Sequence, residues 1–150
     1  MFTKTRVAIS VLVCSLIGIG IMLGQNGAPI NGQWTISGPV IRDHIQLETR
    51  RTSSRGAMSS SSPIALGQLR GLTPVQLESS GSIVRFEIVR DAGTLEFQGY
   101  VQNTSGGGTF TFVPNANFAV ELNSLGYPGV SEEKLFALAM HDVSATYIRR

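Results

Sequence analysis

Two histidines are the natural places to look for chemistry, because an imidazole titrates near neutrality and serves as a base or a metal ligand. His44 follows Asp43 in a segment of strand-like alternation, where it reads as a solvated side chain of the polar face. His141 precedes Asp142 at the end of a helix-like run, where adjacent side chains diverge rather than pair. Two histidines separated by nearly the whole domain, with no HExxH and with Cys14 as the single cysteine, make no zinc cage. No metal and no cofactor is expected. Serines are abundant, yet none sits in a GxSxG turn, so the usual mark of a Ser-His-Asp hydrolase is missing. Gly106-Gly107-Gly108 lacks the Lys-Ser/Thr that follows a phosphate loop and stands between two strand-like segments, so it reads as part of a hairpin turn. No catalytic residue is assigned, and the chain reads as a non-enzyme.

Residues that could instead touch a partner fall into two groups. Arg50, Arg51 and Arg55 flank a serine-rich stretch and form the basic cluster of the chain, suited to anionic lipid head groups or cell-wall polymers, or simply to solvent. Tyr147 and Ile148 follow a helix-capping Ser144 at the carboxyl end, in a helix whose pattern continues towards Arg150. They either fold back on the preceding helix, with the Tyr147 ring buried, or present an apolar edge to another chain; folding back is the favoured reading. Trp34, Phe86, Phe97, Phe110 and Phe112 alternate with polar residues and read as core rather than as a binding face.

The elements that must position these residues are legible from periodicity. Trp34 and Ile36, then Ile45 and Leu47, mark two half-buried strands. The run from Thr52 to Ser62 is polar and low in complexity, which predicts a mobile loop. Leu66, Leu69, Leu72 and Leu77, interrupted by Gly and Pro, predict one or two helical turns across a sheet edge. Val84, Phe86 and Ile88 face one way, as do Leu95, Phe97, Gly99 and Val101, with Asp91-Ala92-Gly93 as a three-residue turn between them. A second turn at Asn103 to Gly108 leads to Phe110 and Phe112. Asn115 caps a helix carrying Phe118, Leu122 and Leu125 that closes at Gly126; Ser131 starts another, with Glu132 and Glu133 in its first turn and Leu135, Leu138 and Ala139 facing inward. The fold class is α+β: an antiparallel meander of about five strands with two to three carboxyl-terminal helices, preceded by an amino-terminal apolar helix.

That apolar helix decides the compartment. Lys4 and Arg6 precede an uncharged run from Val7 to Leu23, somewhat shorter than the roughly 20 residues that cross a bilayer comfortably and longer than most signal-peptide cores. No good cleavage site follows, so an uncleaved anchor is favoured, with the remainder outside the cytoplasm. Residues 1–24 are read as signal anchor or signal peptide, 25–32 as linker and 33–150 as one extracytoplasmic domain. Without Lys4 and Arg6 the chain carries ten basic and ten acidic side chains, so no long-range field favours nucleic acid.

The runs GLTPVQL (Gly71 to Leu77), VRFEIVRDAGTLEFQGY (Val84 to Tyr100), GGGTFTFVPN (Gly106 to Asn115), LGY (Leu125 to Tyr127) and EKLFALAMHDVSATYIR (Glu133 to Arg149) resemble a domain of bacterial membrane-anchored envelope proteins. That domain is similar to regions following the membrane segments of some metallopeptidase-type antibiotic sensors and regulators. The resemblance implies an α+β interaction or sensing domain with an envelope protein as partner; the peptidase domain and further helical repeats are missing here, so no peptidase role carries over. The alternative is a cleaved, soluble periplasmic ligand- or polymer-binding protein.

Overall fold

The computed structural model describes residues 29–54 and 56–150. The expected anchor at residues 1–24, its apolar helix, Cys14 and Arg55 lie outside the described residues. Among the described residues no helix is long and apolar enough to cross a membrane.

Six strands form one antiparallel sheet: β1 (Asn31–Ile36), β2 (His44–Ser53), β3 (Gly56–Ala65), β4 (Ser82–Arg90), β5 (Gly93–Gln102) and β6 (Ser105–Pro114). Their order is β3-β2-β1-β6-β5-β4, so the expected five-strand meander is replaced by two three-strand meanders joined along β1 and β6. Asn31 stands opposite Thr111 and Ile36 opposite Gly106 in that seam. The arrangement puts Trp34, 1% exposed, on a central strand with neighbours on both sides.

The predicted loop at Thr52 to Ser62 is instead the end of β2 and most of β3. The composition argument misleads here because β3 need not bury a core of its own. Every residue from Gly56 to Ala65 has a register partner on β2, and main-chain hydrogen bonding does not depend on side-chain type. Pro63 is tolerated because β3 is an edge strand.

Two turns also differ from expectation. Arg90 pairs with Gly93, so the β4–β5 connection is only Asp91-Ala92, and Gly93 belongs to the strand. A Cβ there would lie 2.5 Å from the Val113 carbonyl oxygen and 2.6 Å from the Phe112 ring. Likewise Gly106, Gly107 and Gly108 are inside β6; the turn itself is Asn103-Thr104, with φ of 49° and 61°, the left-handed pair that suits the twist of a two-residue hairpin. Their amides donate to the Ser79 and Leu77 carbonyls at 2.8 and 2.7 Å, which docks the hairpin tip on α1 (Pro74–Glu78).

Glycine in β6 serves the tryptophan. Trp34 is paired with Gly108, and Gly108 with Gly99, so no side chain stands between Trp34 and β5. The indole crosses this gap and its Nε1 donates to the Gln98 carbonyl at 3.0 Å. A Cβ on Gly99 would come within 2.8 Å of the ring. Phe86 and Phe97, cross-strand partners stacked at 4.7 Å, meet the indole edge-on at 5.1 and 6.3 Å. The whole aromatic set is buried, as its alternation predicts.

One face of the sheet is covered by α3 (Glu132–Met140), which packs on β5 and β6, with α2 (Ala116–Ser124) beside it and the short α4 (Ala145–Ile148) packed on α2. Phe118 and Leu122 of α2, and Leu135, Phe136 and Ala139 of α3, are buried. Leu125 is 37% exposed and Leu138 only half-buried, because the first lies past the last turn of α2 and the second is turned towards α4. The principal anchor of α3 is Phe136, whose ring stacks on Phe110 at 6.1 Å and meets Phe112 edge-on at 5.4 Å.

Candidate functional site

The most developed concave surface of the helical layer lies between α2, α3 and α4. Its position follows from how each helix is capped. The Asn115 side chain accepts from the amides of Asn117 and Phe118 and donates to the Asp91 carbonyl at 2.9 Å, so α2 starts against the β4–β5 turn. Gly126, at φ +93°, ends it: the Tyr127 amide reaches the Leu122 carbonyl and the Gly126 amide that of Asn123. The following Tyr127-Pro128-Gly129-Val130 segment then runs along the surface to Ser131, which caps α3 through the Lys134 amide.

At the other end of α3 the same closure uses Asp142 in place of glycine. Its φ is +52°, the Val143 amide bonds the Leu138 carbonyl, and the carboxylate lies 3.2 Å from Arg90 Nε. The ion pair across to β4 helps hold a residue in a conformation that L side chains seldom adopt. Ser144 then caps α4, the Ala145 amide donates to Asp91 Oδ2 at 2.9 Å, and Arg149 pairs with Glu121 of α2.

The carboxyl terminus therefore folds back, chiefly onto α2. Ile148 is the residue that packs inward; Tyr147 is 70% exposed, against the expectation that its ring is the buried anchor. A single helical turn can direct only one of two adjacent side chains at α2. The groove left between the three helices has a volume of about 700 Å³ and is lined by Leu122, Tyr127, Pro128, Val130, Leu138, Val143, Tyr147 and Ile148, with Lys134 at its rim. Tyr147 and Ile148 are thus brought together, one at the rim and one in the wall. Sequence reasoning missed Tyr127 to Val130; the available signal is a connecting segment of four residues without a charge.

The arginine cluster is divided. Arg50 and Arg51 are successive strand residues and point to opposite faces. Arg50 is solvated, 4.0 Å from Glu48. Arg51 lies under α3, where its two terminal nitrogens donate to the two Glu133 oxygens at 2.7 and 2.6 Å and its guanidinium sits 5.5 Å from the centre of the Phe136 ring. The bond to Glu133 raises the guanidinium pKa above its ordinary value, against the opposing effect of partial burial. Arg51 ties β2 to α3. Periodicity alone could have separated the two arginines; the partner Glu133 could not be named without the fold.

His44 is exposed and its Nδ1 lies 2.7 Å from the Arg42 carbonyl. His141 caps α3 and is exposed as well. Among the described residues no group of three or more His, Cys, Asp or Glu side chains could hold a metal ion.

A second hollow, about 590 Å³, lies on the open face of the sheet, where Arg70, Arg85, Glu87, Glu96, Gln98, Thr109 and Thr111 meet. Compared with protein-family models, with curated proteins and with solved structures, the chain finds no match.

Proposed function

We propose that this chain is a non-catalytic interaction or sensory domain, held at the outer face of a bacterial membrane by residues 1–24 and offering the groove between α2, α3 and α4 to an envelope protein. The observation that carries the reading is the groove itself: an apolar hollow walled by Leu122, Val130, Leu138 and Ile148, with Tyr127 and Tyr147 exposed at 56% and 70%. Exposed tyrosines around an apolar floor are the composition of protein contact sites, because the ring buries area while the hydroxyl stays hydrated. The resemblance to membrane-anchored envelope proteins supports the same reading, and so does the apolar run after Lys4 and Arg6.

A photo-crosslinking residue at Tyr147 in the full-length chain, expressed in a bacterial envelope, tests it. A discrete adduct from Tyr147 that is missing when the same residue replaces Gln46, on the open sheet face, is the expected result. Adducts from neither position, or equally from both, overturn it.

The hollow on the open sheet face favours a second reading, a cleaved and soluble periplasmic protein binding a polar ligand or polymer, since it joins two arginines to two carboxylates. Fractionation separates the two: an anchored chain stays with membranes through an alkaline wash, whereas a processed one is soluble and lacks its first twenty-odd residues.

A further inference from the structure

The two edges of the sheet are treated differently. In β4 the outward-facing main-chain groups of Glu87 are used by Arg70, whose amide donates to the Glu87 carbonyl at 2.9 Å while its own carbonyl accepts at 2.8 Å. Arg85, Glu87 and Arg90 add charge along the same strand. Charge and a covering segment are the usual protections of an edge strand.

The other edge, β3, has neither. No residue from Gly56 to Ala65 is charged. The Leu66 amide donates to the Asp43 carbonyl at 2.8 Å, and alternation along an antiparallel ladder then turns the amides and carbonyls of Ala57, Ser59, Ser61 and Ala65 outward, with the Pro63 carbonyl beside them. Among the described residues nothing covers this row. Met58, on the helix-covered side, is 64% exposed.

We propose that β3 is a self-association edge, at which two copies of this chain join β3 to β3 in an antiparallel register centred on Ser61 and continue one sheet through both. A row of outward amides and carbonyls is met by another extended strand. A second copy fits for two reasons. Two uncharged, small-residue strands approach without like-charge repulsion or steric conflict. A two-fold axis normal to the sheet keeps the helical layers on one side, and centring it on Ser61 sets Met58 opposite Ile64, so the exposed thioether meets the apolar side chain of the other β3. In the same register Pro63, which has no amide proton, is asked only to accept, from Ser59. A two-residue slip sets Met58 against Ser62 instead, or carries it past the end of the strand.

The test uses the full-length chain with Cys14→Ser, which removes the single native thiol. With Ser61→Cys the two thiols face each other across the axis, about 5.5 Å apart at Cα, within disulfide range. With Ser59→Cys they lie about 13 Å apart along the strands although the residue has the same face and similar exposure. Mild oxidation is expected to give at least roughly tenfold more disulfide-linked dimer from Ser61→Cys than from Ser59→Cys. Ser61→Lys, which opposes two ammonium groups, is expected to shift the sedimentation mass of the chain in detergent from two copies to one with its circular dichroism unchanged. Equal cross-linking at the two positions overturns the proposal. So does a single-chain mass for the unsubstituted protein at every concentration, which would leave the edge to an extended segment of another protein.

Discussion

At the scale of single residues, the fold depends on places where a side chain is missing. Gly108 and Gly99 leave the gap that Trp34 fills, and a Cβ on Gly108 would stand 2.0 Å from the Gln98 carbonyl oxygen, the acceptor of the indole. Gly108→Ala is expected to cost about 1–3 kcal/mol, read as a lowered thermal midpoint, whereas Gly67→Ala, with open space around it, serves as the neutral control. The opposite sign is expected at Thr104, a β-branched residue held at positive φ: Thr104→Gly relieves strain of order 1 kcal/mol and raises the midpoint. Arg51→Ala removes the bond pair to Glu133 and the stacking on Phe136. Its cost is about 1–2 kcal/mol by chemical denaturation, between the values for exposed and fully buried pairs, since Arg51 is sheltered but Glu133 is half-exposed. At this scale the aromatic core was legible from alternation, because Trp34, Phe86, Phe97, Phe110 and Phe112 each sit two residues from another apolar position. The glycine gap was not, since GGG carries the same letters in a turn and in a strand, and only the neighbour across the sheet distinguishes them.

Elements show the same division between local and non-local information. The helix starts at Asn115, Ser131 and Ser144 were readable because a cap is a contact between residues two or three apart. β3 was not, because its stability comes from β2 and not from its own side chains. The outward or inward aim of each β3 amide makes a specific expectation. Ser60→Pro removes an amide turned towards Thr49 and should lower the midpoint much more than Ser59→Pro, whose amide points away from β2; equal effects, or a larger effect at Ser59, would overturn the assigned direction of the β3 amides. The carboxyl-terminal turn is similarly testable. Deleting residues 144–150 removes the Ile148 contact, the Arg149–Glu121 pair and the Ala145 amide bound to Asp91, and opens one wall of the groove. A destabilisation of roughly 1–3 kcal/mol is expected by chemical denaturation.

For the molecule as a whole, the α+β class and the helical cover on one face could be anticipated, whereas the start of the sheet and the order of strands could not: β1 begins at Asn31 with Ile30 already buried, inside the segment expected to be a linker, and periodicity marks which residues face inward but carries no record of which strand lies beside which. The central seam has a further consequence, one of time. β1 finds its first partner in the next strand of the chain, but Thr111, opposite Asn31, is made roughly 80 residues later. At synthesis rates of about 5–20 residues per second, β1 waits roughly 4–16 s with one edge paired to β2 and the other bare, Trp34 among its residues. Nascent chains therefore pass through a stage in which a growing polypeptide exposes one edge of a strand that is central in the finished sheet. Truncated chains ending at Gln102 would be arrested in it, and are expected in the insoluble fraction, while chains extended past α3 recover solubility once β6 has closed the sheet and Phe136 has covered it.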